Sequence, residues 1–148
     1  MVVEDLAAVI RLADQSMLNA WNSGQFATEM NISSGLRLVA ERGVVCGYII
    51  GRATAGEAEI LQLAVLPSRQ RQGIGSKLLA QGVRSLSRQR VRTCYLEVRR
   101  QNTGAFLLYR QAGFRRVGMR KKYYRHPVDD AVVMKRVVRN GGQYGKEE

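Results

Sequence analysis

Two cysteines, one histidine and two prolines are all that the 148-residue chain holds of these residue types. Cys46 and Cys94 lie far apart, each within an apolar run, and no Cys-x-x-Cys spacing exists. With His126 the sole imidazole, a zinc site would lack ligands, so no metal is expected. Both cysteines read as reduced core residues of a cytoplasmic protein. No apolar run approaches the ~18 residues of a membrane span, so no membrane partner is expected. The opening MVVEDLAAVIRLAD carries early acids and no basic leader, unlike a signal peptide. Acidic residues are scarce too: 12 Asp and Glu stand against 24 Lys and Arg, a formal net charge of +12. Such a surface attracts phosphorylated cofactors, RNA or anionic lipid, and it equally keeps a protein soluble.

The length suits one domain, expected over residues 1–138, with a polar, Gly-rich and disordered tail at 139–148. Leu6, Val9, Ile10, Ala13 and Met17 recur at helical spacing and predict a helix from Glu4 to Leu18. Ser23 is expected to cap a second helix, Gly24–Met30. Leu36–Arg42 and Val44–Arg52 read as strands turned at Gly43, and a turn at Ala53–Gly56 leads to a third strand, Glu59–Leu66, stopped by Pro67. A helix follows over Gly75–Arg88, then a short strand, Thr93–Val98, whose apolar run suggests burial on both faces. Asn102–Ala112 reads as a helix stopped by Gly113. Strands Phe114–Tyr124 and Ala131–Val138 close the chain around a turn at His126–Asp130. This order predicts an α/β (α+β) fold: a mixed sheet with helices on both faces, and a ligand where the sheet splays or switches.

The segment LAVLPSRQRQGIGSKLL is the most informative. A strand ends, a basic glycine-rich loop follows, and a helix begins. Gly73 and Gly75 let the backbone approach a ligand, and the helix start with Arg69 and Arg71 adds positive potential. The physical logic is a diphosphate cradle, although a plain tight turn has the same pattern. A P-loop would need Gly-Lys-Ser/Thr where the chain has Gly75-Ser76-Lys77. A dinucleotide fingerprint would need glycine where Leu78 stands.

The second informative stretch is CYLEVRRQNTGAFLLYRQAGF. Glu97 interrupts an apolar strand. A carboxylate there is costly unless paired, with Arg99 or Arg116, or used as a base. Asn102 and Tyr109 are two helical turns apart and share a face. Each has a plainer reading, Asn102 as a helix cap and Tyr109 as a core aromatic.

Gln70-Arg71-Gln72-Gly73-Ile74-Gly75 resembles the Q/R-x-x-G-x-G/A signature of GNAT acetyltransferases. LEVRxxNxxAxxLYxxxGF is similar to the ribosomal-protein alanine N-acetyltransferase (RimI-like) subfamily, and the likeness runs from about Asp5 to Val138. The resemblance implies the GNAT fold, with a mixed, mostly antiparallel sheet splayed at the cofactor site. It implies acetyl-CoA as cosubstrate, bound by the loop Arg71, Gln72, Gly73, Ile74, Gly75 and Ser76, by the strand Leu63-Ala64-Val65, and by Asn102. It implies Glu97 as general base and Tyr109 as general acid, with no covalent enzyme intermediate. Trp21 and Tyr124 fall where the subfamily meets its acceptor, the N-terminal alanine of a small-subunit ribosomal protein. There are two departures. Only Met1–Val3 precede the first helix, where the family has a strand. The chain is also itself basic, so an acidic acceptor groove must come from Glu29, Glu41, Glu57 or Glu59. A GNAT enzyme for another amine, such as a lysine side chain or a polyamine, fits the same residues. A basic RNA-binding domain fits the Arg and Tyr between Arg115 and Arg125, but not the glycine loop together with Glu97. Weak RNA contact through the basic surface is the corresponding expectation for the enzyme.

Overall fold

The computed structural model describes residues 1–16, 21–32 and 34–138. Helices α1 (Leu6–Ser16) and α2 (Ser23–Met30) come first. Strands β1 (Leu36–Arg42), β2 (Val44–Thr54) and β3 (Glu57–Val65) form a meander. Then come α3 (Ile74–Arg88), β4 (Thr93–Arg99), α4 (Thr103–Gln111), β5 (Arg115–Arg125) and β6 (Val128–Val137). Six strands make one sheet in the order β1-β2-β3-β4-β6-β5. Every neighbouring pair is antiparallel except β3 with β4. The expected mixed α/β architecture is therefore the observed one.

Each face of the sheet has its own core. Ile74, Leu78, Leu79, Val83 and Leu86 of α3 pack with Tyr109 of α4 and Phe114 on one face. Val9, Leu12 and Ala13 of α1 pack with Phe26 of α2 on the other. β2 is buried on both sides, sending Cys46 and Ile49 to the first core and Tyr48 and Ile50 to the second. Burial of this apolar surface is the main stabilising term. Among the described residues the outer strand β5 is covered by no further strand. It carries Arg115, Arg116, Arg120, Lys121, Lys122 and Arg125, charges that discourage edge-to-edge pairing.

Several local expectations shift. Asn22, not Ser23, caps α2: its side chain accepts from Gln25 N at 2.9 Å, and Gln25 Oε1 accepts from Asn22 N at 2.9 Å. The β2–β3 turn narrows to Ala55-Gly56, both left-handed (φ 53° and 83°), as a two-residue hairpin requires. The last hairpin closes at His126-Pro127, so β6 starts three residues earlier than the pattern suggested. β4 is not buried on both faces. Cys94, Leu96 and Val98 enter the core, while Tyr95, Glu97 and Arg99 are half-buried on the other side. No strand precedes α1 among the described residues; Met1 N donates to Arg37 O of β1 at 3.2 Å. The end of the first predicted helix and the 139–148 tail lie outside the described residues. Among the described residues no helix is long and apolar enough to cross a membrane.

Candidate active site

The site begins with one extra residue. Along β2, Ile50 faces Gln62 and Gly51 faces Ile60, so Leu61 has no partner and forms a β-bulge. The bulge swaps the faces of β3. Ala58 and Ile60 pack toward α3, but beyond Leu61 it is Leu63 and Val65 that do so, while Ala64 joins the α1 side. Parallel pairing with β4 stops at the same place, at Ile60 and Leu96. Gln62–Val65 thus keep β2 on one side and, among the described residues, have no strand on the other. A cleft of about 840 Å³ opens in the gap. Glu59 and Leu63 line it from β3, Glu97 and Arg99 from β4, and Asn102 and Tyr109 from the start and end of α4.

Glu97 reaches the cleft because strand alternation sends its neighbours Leu96 and Val98 into the core. Its expected partners were Arg99 or Arg116; its actual partner is Arg120, whose Nε lies 2.6 Å from Oε2. The Arg120 side chain is 61% exposed, so this pair is open to exchange with water. Tyr123 stands against the same carboxylate, whose charge, with burial, raises the phenol above its ordinary pKa. Tyr109 is buried, with its ring edge-on to Phe114 at 6.0 Å, so it is a core aromatic that also borders the cleft. Burial, and then Tyr124, push its pKa well above the ordinary tyrosine range. Tyr124 is pushed up to about 12, by burial first and then by the Glu97 charge.

The glycine loop lies past the end of β3, where Gln70 Nε2 donates to Val65 O at 3.2 Å. Gly73 is the left-handed N-cap of α3 (φ 81°), and no side chain caps the helix. The first helical bond runs from Lys77 N to Gly73 O at 3.1 Å, which leaves the amides of Ile74, Gly75 and Ser76 for another partner. By contrast, α2 and α4 are closed by Asn22 and Asn102. Arg71 holds φ 64° without being glycine, at a cost of about 1–2 kcal/mol. Arg71, Gln72 and Ser76 are exposed around these amides. The two glycines serve different ends. A Cβ on Gly73 would meet nothing within 4 Å, so the backbone is approachable there. A Cβ on Gly75 would stand 3.3 Å from Leu108 Cδ2 and 3.7 Å from Val65 Cγ2, so Gly75 lets α3 pack against α4 and β3.

A clamp holds the β5–β6 hairpin at one end of the cleft. Between the pairs Arg120–Ala131 and Tyr124–Asp129, three residues of β5 oppose only Asp130 of β6. This bulge brings Tyr123 and Tyr124 to the cleft. Arg99 stacks on the Tyr124 ring at 4.2 Å and donates to Pro127 O (2.9 Å) and His126 O (3.3 Å). Asp129 accepts from Gln101 N at 3.2 Å, and Asp130 accepts from Lys122 N at 2.8 Å. Trp21 lines the cleft from the other side, edge-on to Phe26 at 5.4 Å. The structure therefore gathers Glu97, Tyr109, Asn102, Leu63, Trp21 and Tyr124. Ala64 and Val65 do not line the cleft, and the loop Arg71–Ser76 lies beyond its end. Asn102 does cap α4, accepting from Ala105 N at 3.2 Å, which leaves its Nδ2 donors for a ligand. Of the proposed acidic groove only Glu59 reaches the cleft; Glu29 is buried against Arg52, at 2.8 Å. Arg120 and Arg99 were not foreseen in these roles. The acid pair Asp129-Asp130 within a basic hairpin was the one signal of the clamp.

A sheet opened between two parallel strands, with an uncapped helix end beyond the gap and a carboxylate and a phenol inside it, defines an acyl-transfer scaffold. The chain belongs to the Acetyltransferase (GNAT) family, which it matches over residues 6–114. It is an acetyl-CoA-dependent N-acetyltransferase. It is 30% identical over 134 residues to the [ribosomal protein bS18]-alanine N-acetyltransferase of Escherichia coli (strain K12), covering 88% of this chain and 89% of the relative. It is 41% identical over 98 residues to the N-alpha-acetyltransferase RimI of Mycobacterium tuberculosis, 64% of this chain and 60% of that one. The crystal structure of the E. coli ribosomal-protein-S18-alanine N-acetyltransferase superposes with a TM-score of 0.87 at 28% identity, covering 97% of this chain and 94% of that one.

Proposed function

We propose that the chain acetylates the N-terminal amine, an alanine, of a small-subunit ribosomal protein in the cytoplasm, by direct transfer within a ternary complex. The carrying observation is the splayed cleft, which Glu97 and Tyr109 both line beside the unpaired stretch of β3. The similarity to two alanine or N-alpha acetyltransferases supports the acceptor.

The residues present fit acetyl-CoA. The uncapped amides of Ile74, Gly75 and Ser76, with Arg71 beside them, suit its diphosphate. The unpaired edge of β3 at Leu61–Leu63, which lines the cleft, and the Nδ2 of Asn102 suit its amide-bearing arm. When bound, acetyl-CoA supplies an activated acetyl thioester. Glu97, directly or through a water, takes a proton from the acceptor ammonium: an N–H bond breaks, an O–H bond forms, and the electron pair stays on nitrogen. A peptide N–H of the unpaired β3 stretch donates to the carbonyl oxygen as it gains charge. Tyr109 donates to the departing sulfur. An ordinary thiol, with a pKa of about 8.5, is a stronger acid than this buried phenol, so Tyr109 acts by hydrogen bonding ahead of full proton transfer. Trp21 and Tyr124 flank the acceptor.

A terminal amine also suits the chemistry, since its pKa near 8 leaves more free base at neutral pH than the ~10.4 of lysine. The test is competition between matched peptides, one with a free N-terminal alanine and one with a blocked terminus and an internal lysine. Preference for the lysine peptide sinks the acceptor assignment and leaves the acetyltransferase.

A further inference from the structure

The acceptor end of the cleft holds a second carboxylate that the reaction above leaves unused. Glu59 of β3 stands opposite Tyr95 of β4, so it shares a face with Tyr95 and with Glu97 two residues on. Both carboxylates line the cleft, but their surroundings differ. Arg120 holds Glu97 at 2.6 Å. Among the described residues Glu59 makes no ion pair: Arg120 is committed to Glu97, and Arg52 to Glu29 Oε1 at 2.8 Å. Two like charges on one face repel, and a cation placed between them relieves both. The acceptor amine arrives as such a cation.

We propose that Glu59 is a further substrate-binding residue: its unpaired carboxylate holds the protonated acceptor amine in the cleft and delivers it to Glu97. This rests on the N-terminal-amine reading given above. It resolves a difficulty of the basic surface, because a chain of net charge +12 would otherwise repel a cationic terminus. Glu59 places a second carboxylate, in no ion pair among the described residues, where that terminus must sit. The arrangement also carries a pH signature. Burial, then the Glu97 charge, raise the Glu59 carboxyl above its ordinary pKa, while Arg120 and Arg52 pull it back. The groups facing it are Glu97 from β4, Arg120 and Tyr123 from β5, and Arg52 from β2. Protonation neutralises Glu59, so acceptor binding is present above its pKa and weakens as pH falls through it.

The experiment compares the full chain with Glu59→Gln, an isosteric change. In the variant the acceptor-peptide KM is expected to rise about tenfold, the loss of one charge-assisted contact. The acid limb of kcat/KM that Glu59 contributes is lost in the variant, because the Glu59 titration is gone. Acetyl-CoA affinity, read by calorimetry, stays within twofold. An unchanged peptide KM with the acid limb intact overturns the proposal, and so does an equal loss of acetyl-CoA affinity, which would mark a structural role. A wild-type chain that ignores the alanine peptide and accepts the lysine peptide overturns the acceptor reading instead. The same variant, measured on the lysine peptide, then decides Glu59 separately.

Discussion

Replacing Tyr109 by Phe removes one oxygen from the cleft and little else. The ring is 8% exposed and packs edge-on against Phe114 at 6.0 Å, contacts that Phe retains, so the melting temperature should hold within about a degree or two. A positioned proton donor contributes roughly 10²–10⁴ in rate. The structure favours the lower end of that range. The Tyr109 phenol is held far above its ordinary pKa, whereas a departing thiol of about 8.5 needs no full protonation to leave. What is lost is then one hydrogen bond to a developing charge, and kcat should fall on the order of 10²-fold, about 2.7 kcal/mol of barrier. Free-thiol release at saturating peptide and acetyl-CoA measures it, with calorimetry showing an unchanged acetyl-CoA Kd. The pH profile adds a second check. Tyr109 ionises only above the accessible range, so wild type and variant should give parallel kcat profiles between about pH 6 and 10, differing in height alone. Turnover within twofold of wild type makes Tyr109 a packing residue only. An alkaline limb that vanishes in the variant refutes the pKa argument.

The two glycines of the loop should fail differently. Gly75→Val pushes a branched side chain into Leu108 at 3.3 Å, costs about 1–3 kcal/mol of stability by overpacking, and lowers acetyl-CoA affinity more than tenfold by moving the first turn of α3; calorimetry on the folded variant checks this. Gly73→Ala meets no atom but must hold φ 81°, so it should lose about 1 kcal/mol in a denaturant titration while binding falls less than in Gly75→Val. Asn102→Asp keeps the cap acceptor and deletes the Nδ2 donors, so weaker acetyl-CoA binding at unchanged stability identifies a cofactor contact, whereas unchanged binding leaves Asn102 a cap. The double variant Cys46→Ala, Cys94→Ala should keep activity within a few-fold. Cys94 is buried on the face opposite Glu97, and burial pushes its thiol up to about 12; trapping an acetyl-cysteine would overturn direct transfer.

Local pattern determined the element order, the α/β class and the strand–glycine loop–helix unit, and it marked Glu97 as a carboxylate out of place in an apolar strand; only the family resemblance singled out Tyr109 beside it. These signals have short range: helical and strand periods, a proline stop, a left-handed glycine, a charge inside an apolar run. Tertiary structure decided the rest, because it depends on pairing between segments distant in sequence. Nothing in EILQLAV shows that Leu61 bulges, since a bulge exists only against the register of β2. Yet that one residue ends the β3–β4 pairing and opens the cleft. The partner of Glu97 is likewise a matter of register. The β5 bulge opposite Asp130 and the engagement of Arg99 with the hairpin carbonyls leave Arg120, an unremarked residue in a basic run, as the arginine that reaches it. The same holds for Glu59: four glutamates were possible from composition, and only the strand alignment brings one of them into the gap beside Glu97.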